Sequence, residues 1–292
     1  ALYTALGFQD MYFSGDFAAI DPEAAAAPDY WGYMYGKIAG EFYSDDYLAD
    51  VTAELFDQKA GEGPVFLWAV TMENHTPYTA DKFSSYDFPF ESDLGDEAVG
   101  VLNAVTQGVA DCSEALGKLV DHLAAQDEPV IVVFFGDHRP GTPLESGATV
   151  YSELGMCPED VADWELEDYA ELYSTDYVIW SNDPSLLPAE PGSRMNTSST
   201  LLGVEALQMA GMDLDEYWSM CAVVDTVSDG WTWNFFVPQD GEPCFSPFAG
   251  LDEEGLDIIQ AMRVFMNSTF YGTDGPDFRD IFAGTERDTD TK

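Results

Sequence analysis

Two runs of apolar residues, each the length of one β-strand, flank a single long amphipathic stretch, and that arrangement leaves few folds open. Residues 64–72, PVFLWAVTM, are apolar almost without interruption and lie between Gly-Glu-Gly and a polar segment. Residues 129–135, PVIVVFF, form the second run and stop at Gly136. Continuous apolar runs of this length suit strands buried on both faces. Between them Leu102, Val105, Val109, Cys112, Leu116, Leu119 and Leu123 recur at steps of three and four, which predicts a helix over 96–126 with that stripe buried. Strand, helix, strand is a βαβ unit. Its right-handed crossover sets the two strands parallel and puts their C-terminal ends on the sheet edge where open α/β sheets bind ligands. The predicted fold is α/β, with a mainly parallel sheet flanked by helices.

Local signals place further elements. Ser44, Asp45 and Asp46 cap a helix over 45–59. A third strand is expected at 177–180, a helix over 198–210 that stops at Gly211, and another helix near 255–266. The expected organisation is one domain over residues 1–235, with residues 236–292 as a C-terminal extension packed on it.

Charge narrows the function. The 292 residues include 10 basic and 55 acidic side chains, a formal net charge of −45. Such a surface repels phosphate backbones, which argues against nucleic-acid binding. The acids are spread along the chain, as on a solvated surface rather than a single binding patch. With 46% hydrophobic residues the chain is nonetheless globular. No apolar run reaches the roughly 18 residues of a membrane span. Cys112, Cys157, Cys221 and Cys244 contain no CxxC pair, so a zinc ribbon is excluded. A Cys221–Cys244 bridge and free thiols both stay open.

The chemistry concentrates at the two strand ends. Of three histidines, His75, His122 and His138, two sit just past the apolar runs. His75 lies in TMENHTPY, and His138 in FGDHRPG. A carboxylate oxygen from Asp137 and an imidazole nitrogen from His138 suit a divalent metal such as Mn²⁺ or Zn²⁺. His75 fits either a third ligand or a donor to an anionic substrate oxygen. His122 lies beside the helical stripe and reads as structural. No GxSxG elbow, P-loop or GxGxxG is present.

An apolar strand ending in T-M-x-N-H-x-P-Y, followed about 60 residues later by one ending in F-G-D-H, resembles the sulfatase-type domain of lipoteichoic acid synthases and related phosphoglycerol transferases, of the alkaline-phosphatase-like superfamily. Tyr3 to Phe8 with Asp16 and Phe17, Tyr177 to Asn182, and Ser198 to Met212 match further segments of that family in order, so the resemblance covers roughly residues 1–220. It implies metal ligation by Asp137 and His138 and substrate contact by His75. It implies a divalent cofactor, Mn²⁺ first and Zn²⁺ or Mg²⁺ after it. The implied substrate is an anionic glycerophospholipid or polyglycerolphosphate of the cell envelope, and the implied location is extracytoplasmic. In that family a threonine attacks the phosphodiester and forms a covalent phosphoglycerol-threonine. That threonine, a metal-ligating glutamate, part of the substrate pocket and the membrane helices all precede the segment matching Tyr3 to Phe8. The expectation is therefore an N-terminally truncated domain whose nucleophile and membrane anchor lie upstream of Ala1. Alternatives are a sulfatase, a phosphoethanolamine transferase of the same fold, and a non-catalytic binding module.

Overall fold

A computed structural model describes residues 2–187, 196–232, 234–246 and 250–271. The chain divides into two compact units, Ala1–Val130 with Pro140–Val161, and Ile131–Arg139 with Ala162–Lys292.

The first unit opens with four short helices, α1 (Leu2–Ala5), α2 (Phe17–Ile20), α3 (Pro22–Ala26) and α4 (Tyr30–Tyr35). Asp21 starts α3: its Oδ1 accepts the Glu23 and Ala24 amides at 2.8 and 3.1 Å, and Pro22 occupies the first position, where no amide is needed. Its other oxygen accepts the hydroxyls of Tyr33 and Tyr47 at 2.8 and 2.9 Å, so one carboxylate joins three helical segments. A two-residue hairpin, β1 (Ile38–Ala39) and β2 (Phe42–Tyr43), leads into α5 (Asp45–Lys59). As the cap cluster predicts, Ser44 Oγ accepts the Tyr47 amide at 3.1 Å. Ile20, Ala24, Met34, Tyr47 and Val51 form the core beneath.

The long helix α6 (Asp96–Ala124) matches its predicted span, and the predicted stripe is buried in part: Leu123 is buried and Leu102 and Val105 pack against the core, but smaller residues beside the stripe are buried more deeply. Ala98, Val101, Ala104, Gly108 and Ala115 are buried, whereas Val109 is 58% exposed. Small side chains let α6 lie close to α5 and to the 72–80 loop, a packing that outweighs the burial of larger residues one step around the helix. Tyr78, Ala98, Val101, Ala104 and Val150 form the core at this face, Val150 from the short helix α7 (Val150–Glu153).

In the second unit, β3 (Ile131–Phe135) pairs antiparallel with β4 (Tyr177–Ser181), from Ile131↔Ser181 to Phe135↔Tyr177. Helices α8 (Leu166–Leu172), α9 (Ser199–Met209) and α10 (Glu216–Asp225), the hairpin β5 (Ser228–Trp231) with β6 (Phe236–Pro238), and α11 (Glu253–Tyr271) complete it. Leu201, Val204, Cys221, Val224 and Met262 form its core. None of the four cysteines is in a disulfide.

Helices and sheets interleave as an α/β class requires, but the βαβ expectation fails in its details. Residues 64–72 form no ladder, and Val65, Phe66, Trp68 and Val70 are 37–73% exposed. Strand β3 is half-buried along its length, and its ladder runs to β4. Among the described residues every paired strand is antiparallel. An apolar run records a preference for burial, not the identity or direction of the strand that supplies it. The boundary expected at 235/236 falls inside the β5–β6 hairpin, where Trp231 pairs with Phe236.

Candidate active site

Asp137 and His138 stand on the loop that leaves β3, in the second unit. The Gly136 amide donates to the Asp176 carbonyl at 3.3 Å, and the Thr175 hydroxyl donates to the Gly136 carbonyl at 2.7 Å. A Cβ on residue 136 would lie 3.3 Å from Thr175 Cβ, so glycine suits this close approach. Arg139 extends the clamp: its Nε donates to the Ser174 carbonyl at 3.0 Å and its Nη2 to Glu171 Oε1 at 2.9 Å. The segment 171–176 thus holds the loop from one side.

The two candidate ligands then project into solvent, with side chains 82% and 72% exposed. The His138 amide donates to Asp137 Oδ1 at 2.9 Å, which leaves Oδ2 outward. His138 Nδ1 lies 2.8 Å from the Arg139 carbonyl, a contact that requires Nδ1–H and leaves the Nε2 lone pair uncommitted. This is the tautomer of a metal-ligating histidine, with its other nitrogen bonded to a carbonyl. Nε2 and Asp137 Oδ2 are 3.6 Å apart, close to the spacing of roughly 3–3.5 Å expected of two atoms each about 2.0–2.2 Å from one ion. The pair therefore fits a divalent metal as two ligands of a larger set. Among the described residues no three His, Cys, Asp or Glu side chains form a metal cluster.

His75 belongs to the first unit. Its amide donates to the Met72 carbonyl at 3.0 Å, its Nδ1 lies 2.9 Å from the Thr76 carbonyl, and its ring meets Phe42 edge-on at 5.7 Å. Nε2 is again the nitrogen left for a ligand. Asn74 anchors the loop to α6, its Nδ2 donating to the Gly108 carbonyl at 2.9 Å, and Tyr78 donates back to the Asn74 carbonyl. A Cβ on Gly108 would lie 1.9 Å from Asn74 Oδ1.

Two charged residues beside His75 escaped the sequence reading because their types signal surface. Glu73 is 1% exposed; its Oε2 accepts the Asp45 amide at 2.6 Å, and its Oε1 has no hydrogen-bond partner. Burial, together with the nearby carboxylates of Asp45 and Asp111, pushes its pKa up to about 7. Burial likewise pushes the neighbouring Cys112 thiol up to about 12, with Asp45 and Glu73 adding to the rise. Lys82 is 9% exposed and donates to the His75 carbonyl at 2.7 Å. His122 Nε2 meets Asp57 Oδ1 at 3.0 Å and links α6 to α5.

A family model for sulfatases matches residues 2–204. A Rhizobium meliloti protein named for cyclic beta-1,2-glucan modification is 31% identical over 181 residues, which is 61% of this chain and 26% of that protein. An uncharacterized protein of Haemophilus influenzae is 23% identical over 168 residues, 57% of this chain and 27% of that one. The chain thus spans about a quarter of the length of the curated relatives it matches. The Streptococcus pyogenes phosphoglycerol transferase GacH, solved in complex with sn-glycerol-1-phosphate, superposes with a TM-score of 0.50 at 18% identity, over 75% of this chain and 47% of that one.

Proposed function

The chain belongs to the sulfatase family and has an alkaline-phosphatase-like α/β fold, and from that premise we propose that it is part of a metal-dependent phosphoglycerol transferase or phosphodiester hydrolase acting on cell-envelope glycerolipids. The observation that carries the reading is the Asp137–His138 pair, with both free donor atoms turned outward 3.6 Å apart and the imidazole held in the ligating tautomer. In this proposal the two residues hold a divalent ion, Mn²⁺ first, which when bound supplies Lewis-acid stabilisation of phosphoryl charge. His75 is the substrate-contacting residue of this proposal, with Nε2 left free by the Nδ1 contact to the Thr76 carbonyl. In this proposal the protein acts outside the cytoplasm, at the cell membrane. The likeness to a phosphoglycerol transferase solved with sn-glycerol-1-phosphate supports the donor, and the relative named for glucan modification supports a glycan acceptor.

The test uses the full-length protein that carries this chain. It is expected to bind Mn²⁺ and cleave the p-nitrophenyl ester of sn-glycerol-1-phosphate, and Asp137→Ala is expected to abolish both. Cleavage of p-nitrophenyl sulfate in place of the phosphodiester would establish the sulfatase alternative. Activity intact in both Asp137→Ala and His138→Ala would overturn the metal assignment, and metal binding without turnover of either ester would establish a binding module.

A further inference from the structure

Among the described residues Lys82 is the buried lysine of a chain that has 55 carboxylates to 10 basic groups, and Glu41 and Glu73 act on it only from beyond ion-pairing distance. Lys59 pairs with Asp10, Lys118 with Asp46 and Asp50, and Arg139 with Glu171, all partly exposed. Lys82 is buried, and among the described residues no carboxylate lies within ion-pairing distance of it. Its Nζ donates instead to the carbonyls of His75 and Pro77, at 2.7 and 3.4 Å. The rings of Tyr78, Phe83 and Phe42 surround it at 5.2, 5.7 and 6.0 Å. Burying a cationic side chain is unfavourable unless its hydrogen bonds and surroundings repay the lost hydration, and here the recipients of those bonds are the two carbonyls that flank Thr76.

The hairpin closes the box. Gly40, at φ +63°, adopts a backbone conformation that side chains disfavour and leaves tight space for one: a Cβ would lie 3.1 Å from the Lys82 carbonyl and 3.3 Å from Lys82 Cγ. Phe42, two residues on, touches both the lysine and the His75 ring. Both backbone polar groups of His75 are then committed, the amide to Met72 and the carbonyl to Lys82, while the ring is held through Nδ1 by the Thr76 carbonyl.

We propose that Lys82 is the positioning residue of the His75 loop, fixing the backbone on either side of Thr76 so that the imidazole presents Nε2 to the substrate phosphate in one orientation. The assignment of His75 to the substrate rests on the proposed function; the Lys82–His75 contact does not. Displacing a substrate-contacting group by about 1 Å costs up to about 100-fold in rate, and that loss should reach the reaction only through His75.

A double-mutant cycle in the full-length protein tests this. With the p-nitrophenyl ester of sn-glycerol-1-phosphate, Lys82→Met is expected to lower kcat/KM about 10–100-fold, and less than about 2-fold once His75→Ala is present. Lys82→Arg, which keeps a cationic donor, should recover part of the loss, and Lys82→Gln is the second variant if Lys82→Met does not fold. The His75 ring resonance of the full-length protein, assigned by its loss in His75→Ala, is readable by NMR without substrate, and it should move in Lys82→Met while those of His122 and His138, assigned in the same way, stay. Equal losses in the presence and absence of His75, no loss at all, or an unmoved His75 resonance would overturn the proposal. A wild-type protein that leaves the ester intact while the His75 resonance moves would sink the proposed function and support the positioning role.

Discussion

The amide of Asp45, the first residue of α5, donates to Glu73 Oε2 at 2.6 Å, and this bond ties the start of a helix to the loop that carries His75. The carboxyl is buried, and its remaining oxygen has no hydrogen-bond partner; on α6 the Asp111 carboxylate and the Cys112 thiol are close, and Lys82 lies within electrostatic reach. A neutral Glu73 suits these surroundings better than an anion.

That preference has a sign in pH. Glu73 titrates near its ordinary value of 4.5 when unfolded and at about 7 when folded. Its stabilising contribution is therefore full below about pH 4.5 and is lost as pH rises through about 7. The difference in urea-unfolding free energy between wild type and Glu73→Gln is expected to change by about 2–3 kcal/mol across that window, with Gln the more stable above it. A difference independent of pH would show that Glu73 is not the titrating group.

Gly108→Ala drives a methyl group into Asn74 Oδ1. The side chain must swing away and give up its bond to the Gly108 carbonyl, so a loss of about 1–3 kcal/mol is expected. Thermal unfolding reads the stability, and hydrogen exchange of the 72–78 amides reads the loosened loop.

Thr175→Val removes the hydroxyl that holds the Gly136 carbonyl at 2.7 Å while keeping the side-chain volume. The cost in stability should be about 1 kcal/mol, whereas under the proposed metal assignment the Mn²⁺ affinity of the full-length protein should fall about 10-fold, because supporting contacts would orient Asp137 and His138. Calorimetric titration with Mn²⁺ separates the two effects.

Asp21→Ala strips four hydrogen bonds from one carboxylate, two from amides at the start of α3 and two from Tyr33 and Tyr47. A loss of about 2–4 kcal/mol is expected in chemical denaturation. Burial and the Asp21 charge also raise both phenols above the ordinary tyrosine value of 10.0. Their stabilising contribution is thus complete below about pH 10 and is lost as pH rises beyond it, so wild type should lose stability there and Asp21→Ala should lose less.

Sequence-local chemistry was readable, and partner choice was not. Ser44 announces α5, and the Asp-His pair at the end of the second apolar run lies exposed on the loop that leaves β3. The stripe on α6 was read in part: Leu123 is buried and Leu102 and Val105 pack against the core, but the closest packing is made by Ala98, Ala104 and Gly108, which a search for large apolar residues passes over. Thr175 was invisible because its contact with Gly136 spans 39 residues of chain. Glu73 and Lys82 were passed over because a charged residue is presumed solvated until its surroundings are known.

The unladdered run at 64–72 has a practical side. Phe66 and Val70 face solvent on a chain of net charge −45, so like-charge repulsion opposes contact between these stretches on neighbouring molecules. Screening shortens the reach of that repulsion to about 8–10 Å at ordinary ionic strength. Residues 1–292 produced as an isolated piece should stay dispersed in dilute buffer and associate as salt is added, the reverse of the salting-in usual for a protein held together by opposite charges.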